Sequence, residues 1–362
     1  MSDLVDRDFE RILIIKPSSI GDVMHALPVL NGLRRRYPDA KISWLLSTAC
    51  ADLLNGHDAL DEVIPFERKH FGRMWRSPSA LVGFLRFIRD LRRRRFDLVI
   101  DLQGLFRSGF VTRASGAATR IGPDNSRELA GVFYTDRVAI PTLEEHAVDR
   151  YYRVAPMLGF ADVPITFTLP VAETERVNAH GLLQVRGVDP DRYALVFASA
   201  RWETKVWPVD RFAELVDGLQ ERLGLAVVLM GGRTDAIIGE EIAIRCRNEP
   251  ARLFNVTLRQ MVALIESAAL VIGNESGPIH VAAALHRPLV TIIGPTSAVR
   301  TGPYNRPDHV ARRELDCAPC YLKKLSQCPH HHTCLADLSA ETVLAVCEQA
   351  LNPVSDDAKV VT

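Results

Sequence analysis

Residues 11–36 read RILIIKPSSIGDVMHALPVLNGLRRR, and this stretch decides the fold class. The apolar run over 11–16 predicts a short buried strand, and the residues over 21–36 predict a helix that Tyr37 and Pro38 end. A strand that passes directly into a helix is the opening unit of a βαβ fold, in which the strands run parallel. The opening of the chain therefore predicts an α/β protein.

The same alternation continues along the chain and occurs twice over. Strands are predicted over 41–47, 62–66, 97–101, 193–198, 226–230, 270–272 and 289–293, and helices over 79–94, 209–222, 237–247, 258–268, 277–285 and 339–351. The stretch 160–174 contains Pro164 and Pro170 and has little helical pattern, so we expect it to connect two domains. The pattern predicts two Rossmann-like, doubly wound domains over 1–168 and 169–340, followed by a C-terminal helix and tail over 341–362.

Composition limits the classes of protein to which the chain can belong. It has 362 residues, of which 47% are hydrophobic and 24% charged, and its formal net charge is zero. No apolar run reaches the ~18 residues that a transmembrane helix needs. The acidic N-terminus does not resemble a secretory signal, so we expect a cytoplasmic protein. Zero net charge and the lack of a recognised module argue against binding of nucleic acid.

The loop after the first predicted strand contains the first candidate for catalysis. Asp22 follows Gly21 at the start of a helix, and doubly wound domains bind their ligands at this end of the strands. A carboxylate there can accept a proton from a hydroxyl group as a general base, or it can simply cap the helix. The loop is not a GxGxxG sequence, so it does not predict a dinucleotide in the first domain.

Two loops of the second half suit a nucleotide diphosphate. The sequence FASARWETKVWP over 197–208 contains a hydroxyl group and an ammonium group that can contact phosphate oxygens, Ser199 and Lys205. The sequence GNESGPIH over 273–280 joins a predicted strand to a helix whose N-terminus can bind a diphosphate. Its candidate residues are Glu275, Ser276, Gly277 and His280. The alternative for this loop is a capped helix with a packed histidine.

Two further segments have an unusual composition. Ten basic residues and two acidic ones lie between positions 67 and 95, a pattern that favours either an anionic ligand or surface or a solvated helix face. Four cysteines lie close together near the C-terminus, Cys317, Cys320, Cys328 and Cys334. Their spacing allows a structural zinc site, but the second pair does not form a compact zinc knuckle, so reduced or disulfide-forming thiols are the alternative.

Taken together, these motifs resemble glycosyltransferase family 9, which contains the ADP-heptose:lipopolysaccharide heptosyltransferases. The resemblance rests on KPSSIGDVMHALPVL at 16–30, DLVIDLQGLFRSG at 97–109, Ser126-Arg127-Glu128, EEHAVDRY at 144–151 and NESGPIHVAAALHRPLVTIIGPT at 274–296. They occur in the family's order over about residues 10–350. The middle segments are similar to the members that add the first heptose to Kdo, whereas Cys317-Ala318-Pro319-Cys320 is more similar to those that add the second.

The resemblance implies a GT-B fold, in which the first domain binds the acceptor and the second binds an ADP-sugar across a cleft. It implies that Asp22 is the general base, that Lys16, Ser18, Ser19 and Gly21 form the loop beside it, and that Arg127 contacts the acceptor. Arg68, Arg73, Arg76 and Arg107 would meet Kdo carboxylates and lipid phosphates. Ser199, Lys205, Glu275, Ser276, Gly277 and His280 match donor-site positions, although the family usually has Asp where this chain has Glu275.

The function implied by the resemblance is inverting transfer of heptose from ADP-heptose to the Kdo region of lipopolysaccharide, without cofactor or metal. It also implies peripheral contact with the cytoplasmic face of the inner membrane. The alternatives are a family member that uses another nucleotide sugar or a later core acceptor, a GT-B nucleotide-sugar epimerase, and a binding protein without catalysis.

Overall fold

The computed structural model describes residues 4–67, 71–73 and 76–352. The chain divides into two compact units, Met1–Pro170 and Val171–Thr362. Each unit is built on a parallel six-stranded sheet with helices, so the predicted α/β class is confirmed. In the described part of the chain, no helix is both long and apolar enough to cross a membrane.

The sheet of the first unit has the order β3-β2-β1-β4-β5-β6. Its strands are β1 (Arg11–Ile15), β2 (Lys41–Ser47), β3 (Glu62–Phe66), β4 (Leu98–Asp101), β5 (Thr119–Pro123) and β6 (Asp136–Val138). Its helices are α1 (Ile20–Arg36), α2 (Pro78–Arg93), α3 (Phe106–Ala114), α4 (Ala147–Tyr152) and α5 (Ala155–Leu158), with 3-10 turns at Ala51–Leu54 and Ala130–Phe133.

Strand β1 forms the centre of this unit. Residues 12–15 are fully buried because helices cover both faces of a parallel sheet, which explains the unbroken apolar run in the sequence. The chain order reverses at β1, with β2 on one side and β4 on the other. Ile15 is in register with both Leu45 and Asp101, so Lys16 and the residues after β4 lie together at the carboxyl end of the sheet. This is the switch point at which such sheets bind ligands.

The second unit repeats this arrangement with the strand order β12-β11-β10-β7-β8-β9. Its strands are β7 (Tyr193–Phe197), β8 (Ala226–Gly231), β9 (Ala251–Phe254), β10 (Leu270–Asn274), β11 (Leu289–Ile292) and β12 (Val310–Ala311). Its helices are α6 (Glu173–Gln184), α7 (Val209–Glu221), α8 (Ala236–Arg245), α9 (Leu258–Ser267), α10 (Gly277–Ala284), α11 (Ala298–Thr301), α12 (Thr333–Ala336) and α13 (Ala340–Leu351). Short 3-10 turns lie at Glu203–Lys205, Arg233–Asp235, Pro307–His309 and Leu325–Gln327.

Strands β7 and β10 are the corresponding switch point of the second unit, and a glycine brings their ends together. Gly273 is in register with Phe197. A Cβ atom at position 273 would lie 2.6 Å from the carbonyl oxygen of Phe197, so only glycine fits there. The loops that follow these two strands, which contain Lys205 and Glu275, therefore start side by side.

The last helix belongs to the second unit. Val343, Leu344 and Cys347 of α13 are buried in the same core as residues of β7, α7 and β11. The sequence places this segment in a separate C-terminal element, but its apolar side chains complete the core of the preceding domain.

Candidate active site

A cluster of three side chains occupies the carboxyl end of β1 in the first unit. Lys16 is buried, and its Nζ lies 3.2 Å from Oδ1 of Asp22. The Tyr151 hydroxyl donates a hydrogen bond to the same oxygen at 2.9 Å, and the Lys16 ammonium group lies 4.6 Å from the centre of the Tyr151 ring. Lys16 after β1 and Tyr151 of helix α4 thus bind the same carboxylate oxygen of Asp22.

The second oxygen of Asp22 is bound by the loop itself. The backbone N–H and the hydroxyl group of Ser19 both donate to Oδ2 at 2.9 Å. Asp22 is therefore part of a capping box at the start of α1, which confirms the capping role considered from the sequence. Its side chain remains 37% exposed. A carboxylate that caps the helix can still be reached by a ligand, so capping does not preclude a chemical role.

The surroundings of Asp22 favour its charged form. Burial alone raises the pKa of its carboxyl group, but the Lys16 ammonium group and the Ser19 N–H outweigh burial and hold that pKa well below its usual range. Burial and the charge of Asp22 raise the pKa of the Tyr151 hydroxyl to about 12. At neutral pH the cluster consequently contains a carboxylate, an ammonium group and a neutral phenol.

A second buried acid shapes the loop beside this cluster. Asp101, at the end of β4, accepts hydrogen bonds from the N–H groups of Gln103 and Gly104 and from the Tyr134 hydroxyl at 2.8 Å. These bonds fix the turn after β4. The carbonyl oxygen of Leu102 in this turn accepts a hydrogen bond from Lys16 at 3.3 Å. Asp101 thereby acts on the cluster through the position of Lys16.

The second unit contains another lysine–carboxylate pair. Lys205 Nζ lies 2.9 Å from Oε2 of Glu275, and their side chains are 15% and 7% exposed. The Thr296 hydroxyl donates to the same oxygen. The Lys205 ammonium group also lies 4.6 Å from the centre of the Trp202 ring. The two predicted donor loops therefore meet through this ion pair.

The N-terminus of helix α10 lies directly beside this pair. Ser276 is the N-cap residue, its hydroxyl oxygen is buried without a hydrogen-bond partner, and Gly277 begins the helix. His280 lies one turn further on and is buried. Ser199 is half-buried in the same loop as Lys205. The structure brings Lys205 and Glu275 together beside Ser276 and Gly277, with His280 in the next turn of α10 and Ser199 in the loop that contains Lys205.

The predicted acceptor arginines lie elsewhere. Arg73, Arg76, Arg107 and Arg127 are exposed at the surface of the first unit, and none of the contacts described for Lys16 and Asp22 involves them. Arg68 is outside the described residues. The N–H of Arg127 donates to the carbonyl oxygen of Gly104 at 2.8 Å, which places Arg127 next to the turn after β4.

The four late cysteines line one cavity of about 260 Å³, together with Pro295 and His330. All four are free thiols, and burial raises the pKa of Cys334 to about 11. Across the described ranges, no three His, Cys, Asp or Glu side chains are placed to hold a metal ion. The four side chains of the segment are thus close together, and the zinc and thiol alternatives both stay predictions.

Comparisons with known proteins agree with this geometry. Residues 84–331 match the model of glycosyltransferase family 9 (heptosyltransferase). Lipopolysaccharide heptosyltransferase 1 of Pseudomonas aeruginosa is 32% identical over 351 residues, which cover 95% of each chain. The chain belongs to glycosyltransferase family 9. It is therefore a glycosyltransferase.

Solved structures of family members have the same fold. The structure of Escherichia coli ADP-heptose lipopolysaccharide heptosyltransferase II superposes with a TM-score of 0.75 at 27% identity, over 94% of this chain and 98% of that one. An E. coli heptosyltransferase with ADP-2-deoxy-2-fluoro heptose gives 0.71 at 27% identity, over 94% and 99%. The fold is GT-B, as the resemblance implied.

Three side chains of this family 9 glycosyltransferase site were missed from the sequence. Tyr151 and Thr296 end two of the quoted motifs and Asp101 lies within a third, but no pattern assigned a contact to any of them. The available signal was their position, since Asp101 ends a strand and Thr296 follows one. Only the folded chain brings them against Lys16 and Glu275.

Proposed function

We propose that this chain transfers heptose from ADP-heptose to the Kdo region of the lipopolysaccharide inner core. The observation that carries the proposal is the end-to-end likeness to the P. aeruginosa heptosyltransferase 1. The Lys16–Asp22–Tyr151 cluster supports it, because it supplies an accessible carboxylate that is charged at neutral pH. The first unit would bind the acceptor and the second unit the ADP-sugar.

In the proposed reaction, Asp22 takes the proton of the attacking acceptor hydroxyl group. The acceptor oxygen forms a bond to the anomeric carbon while the bond between that carbon and the diphosphate oxygen breaks, and ADP leaves with the electron pair. Attack from the face opposite ADP inverts the anomeric centre, as water does in inverting glycosidases. Lys16 and Tyr151 would orient the carboxylate, and the exposed part of Asp22 would receive the acceptor.

The donor site is proposed on the ion pair of the second unit. Lys205 and the N-terminus of α10 would stabilise the negative charge that develops on the diphosphate, a role for which a metal ion is not needed. Glu275, with Thr296, would hold Lys205 in place and accept hydrogen bonds from donor hydroxyl groups. Ser199, Ser276 and His280 would complete the contacts. No cofactor enters this scheme.

The acceptor is lipid-linked, so the proposal includes peripheral contact with the cytoplasmic face of the inner membrane. Arg73, Arg76, Arg107 and Arg127 would contact the carboxylates and phosphates of the acceptor. Their exposure supports this role, because an anionic ligand can reach each of them from solvent.

The test is acceptor-dependent release of ADP from ADP-heptose. Purified protein would be supplied with Kdo-lipid A, with a reaction lacking acceptor and reactions with other nucleotide sugars beside it. ADP release that requires both ADP-heptose and Kdo-lipid A is the expected result. Release from a different nucleotide sugar would contradict the donor assignment while leaving the family unchanged.

A later step of core synthesis is the second candidate. The structure superposes slightly better on the E. coli heptosyltransferase II than on the heptosyltransferase with the fluorinated donor, and the cysteine segment resembles that of second-heptose members. An enzyme of this type would release ADP only with an acceptor that already carries heptose. The same assay with heptosylated Kdo-lipid A separates the two candidates.

A further inference from the structure

Apolar side chains are concentrated on one surface of the first unit. Among the described residues, seven of the fourteen exposed large hydrophobic side chains lie between positions 81 and 132. They are Leu81, Val82 and Leu85 of α2, Phe106 and Phe110 of α3, and Leu129 and Val132 around the 3-10 turn that follows β5. We call these seven side chains the apolar surface. Its outermost members, Leu129 and Val132, are 79% and 71% exposed.

The three elements that form the apolar surface pack against one another, so its side chains are neighbours. Phe84 of α2 stacks on Phe110 of α3 with ring centres 6.1 Å apart. Phe133 of the 3-10 turn lies 6.3 Å from Phe110 and 5.3 Å from Phe106. Ring contacts therefore join the three elements, and Phe106 and Phe110 of the apolar surface take part in them.

The hydrophobic core does not need these exposed side chains. Helix α2 already contributes Ala80, Phe84 and Leu91 to the interior, and α3 contributes Val111. The same helices expose a second, apolar stripe formed by Leu81, Leu85 and their neighbours. A helix with apolar residues on its solvent face has more hydrophobic surface than folding uses, which marks a site of interaction.

Positive charges predominate around the apolar surface, although the exposed Glu128 precedes Leu129 and accepts a hydrogen bond from the N–H of Phe106 at 3.3 Å. Helices α2 and α3 together carry six arginines and one aspartate. The six arginines are all exposed, and they are Arg86, Arg89, Arg92, Arg93, Arg107 and Arg113. The single acid, Asp90, lies within ion-pair distance of Arg89 and Arg93. Apolar side chains beside an excess of arginine suit a lipid bilayer, whose anionic headgroups cover a hydrocarbon interior.

The position of the apolar surface matches that of the catalytic cluster. Helices α2 and α3 follow β3 and β4, and the 3-10 turn follows β5, so all three begin at the carboxyl end of the sheet. Lys16 and Asp22 lie at this same end. Leu81, Val82 and Phe106 lie near the starts of their helices, towards that edge, and Leu85 and Phe110 lie about one turn further on.

We propose that the apolar surface and its arginines form the membrane-docking site of this chain, which inserts Leu85, Phe106 and Phe110 into a bilayer containing anionic phospholipid. The inference deepens the proposed function, because it rests on an acceptor that is anchored in a membrane. Docking at this edge brings the headgroup region next to Asp22. A lipid-linked acceptor then reaches the carboxylate without leaving the bilayer.

The test compares two matched double variants in vesicle sedimentation. One carries Leu85→Glu and Phe110→Glu on the apolar surface, and the other carries Ile237→Glu and Ile244→Glu at exposed positions of α8 in the second unit. With vesicles of phosphatidylethanolamine and phosphatidylglycerol, the first variant should lose vesicle binding about tenfold or more, because it places two charges in the interface. The α8 variant should bind as the wild type does.

The arginines provide an independent arm that leaves the apolar residues intact. Arg86→Ala and Arg113→Ala remove one exposed charge from each helix. Each should weaken binding to the anionic vesicles by about fivefold, and neither should change binding to phosphatidylcholine vesicles. Thermal unfolding shows whether each variant is folded. If the glutamate variant does not fold, the two arginine variants still test docking.

Activity separates docking from catalysis. The Leu85→Glu/Phe110→Glu variant should lose turnover with acceptor embedded in vesicles and keep it with a deacylated, water-soluble acceptor. Unchanged vesicle binding by this variant, or no wild-type binding to anionic vesicles, would overturn the docking proposal. A wild-type dimer that the glutamates dissociate, without an effect on vesicle binding, would instead make this surface an interface between copies. Vesicle binding without any heptose transfer would contradict the proposed function alone.

Discussion

The two units of this glycosyltransferase each have a lysine–carboxylate pair at the switch point of a parallel sheet, but the pairs are built in opposite ways. In the first unit the lysine is buried and the carboxylate of Asp22 is partly exposed. In the second unit the carboxylate of Glu275 is the more buried partner, and Lys205 is the more exposed one. The more exposed partner is thus the carboxylate in the first unit and the ammonium group in the second.

This difference separates the proposed roles. A partly exposed carboxylate backed by a buried ammonium group can accept a proton, whereas an ammonium group backed by a buried carboxylate can bind a diphosphate. In both pairs the additional hydrogen bonds are made to the carboxylate. Tyr151 and Ser19 donate to Asp22, and Thr296 donates to Glu275. In an ion pair at a sheet end, the partner that faces solvent decides which ligand the pair can serve.

Removal of the exposed carboxylate should have the largest effect. Asp22→Asn should lower turnover by about 10²- to 10⁴-fold, the usual contribution of a general base, and leave ADP binding unchanged. Steady-state kinetics and calorimetric titration with ADP measure the two quantities. Asp39→Asn, at an exposed turn, is the matched control and should behave as wild type. Wild-type turnover in Asp22→Asn would remove Asp22 from the mechanism and end the distinction between the two pairs.

Removal of the buried cation tests how Asp22 is kept charged. Lys16→Met removes the ammonium group that lowers the pKa of Asp22, while the burial that raises this pKa remains. The pKa of Asp22 should therefore rise. The acidic limb of the pH profile of kcat/KM should move to higher pH, so the loss of kcat/KM should be largest in acid, where Asp22 of the variant becomes protonated first.

The free energy of unfolding should also depend on pH through the pKa of Asp22. The pKa of Asp22 in the folded protein is below its ordinary value of 3.8, so its stabilising contribution is present above that pH and is lost as pH falls through the folded-state pKa. The difference in unfolding free energy between wild type and Lys16→Met should therefore be largest near neutral pH and shrink in acid. A pH-independent difference would show that Lys16 acts by packing alone.

Changes to the Lys205–Glu275 pair should alter the affinity for the donor. Lys205→Met should weaken binding of ADP and raise the KM for the ADP-sugar by roughly ten- to a hundredfold, the usual worth of a hydrogen bond to a charged group. Lys205→Arg should recover part of the loss. Lys323→Met is the control, because Lys323 lies 5.2 Å from the same Trp202 ring and is exposed. A loss confined to acceptor KM would reverse the assignment of the two pairs.

The smallest effect is expected at Tyr151. Tyr151→Phe removes one of the hydrogen bonds to Asp22 and leaves Lys16 and Ser19 in place. Turnover should fall by about three- to tenfold, the worth of one ordinary hydrogen bond, with the KM for donor unchanged. A loss as large as that of Asp22→Asn would mean that the phenol itself takes part in proton transfer.

Most regular elements could be predicted from the sequence, and the exceptions have physical causes. The strands over 41–47 and 62–66 are confirmed residue for residue, because each contains a short apolar run bounded by polar residues. Helix α3 was missed, since its glycine, serine and threonine blur the helical period. Strands β5, β6, β9 and β12 have five residues or fewer and helices α4, α5, α11 and α12 six or fewer, so they show no readable period and were not predicted. Helix α6 was not predicted either.

The candidate site was predictable one loop at a time. Asp22, Lys205 and Glu275 could each be selected because they follow strands in an alternating pattern, and Lys16 could be selected through the resemblance to the family. Their pairing could not, because it depends on the register of strands that are far apart in sequence. Tyr151 reaches Asp22 across 129 positions, and no local pattern specifies that contact.

The sequence by itself determined the α/β class, the repetition of the fold and the loops in which chemistry could occur, because periodicity and strand-to-helix transitions are local properties. Only the tertiary structure decided which member of each ion pair is buried, because burial depends on elements that pack from elsewhere in the chain. It also decided that α13 completes the second core and that apolar residues of α2 and α3 form one surface. These properties depend on which residues are neighbours in the folded chain, and local sequence patterns do not specify those contacts.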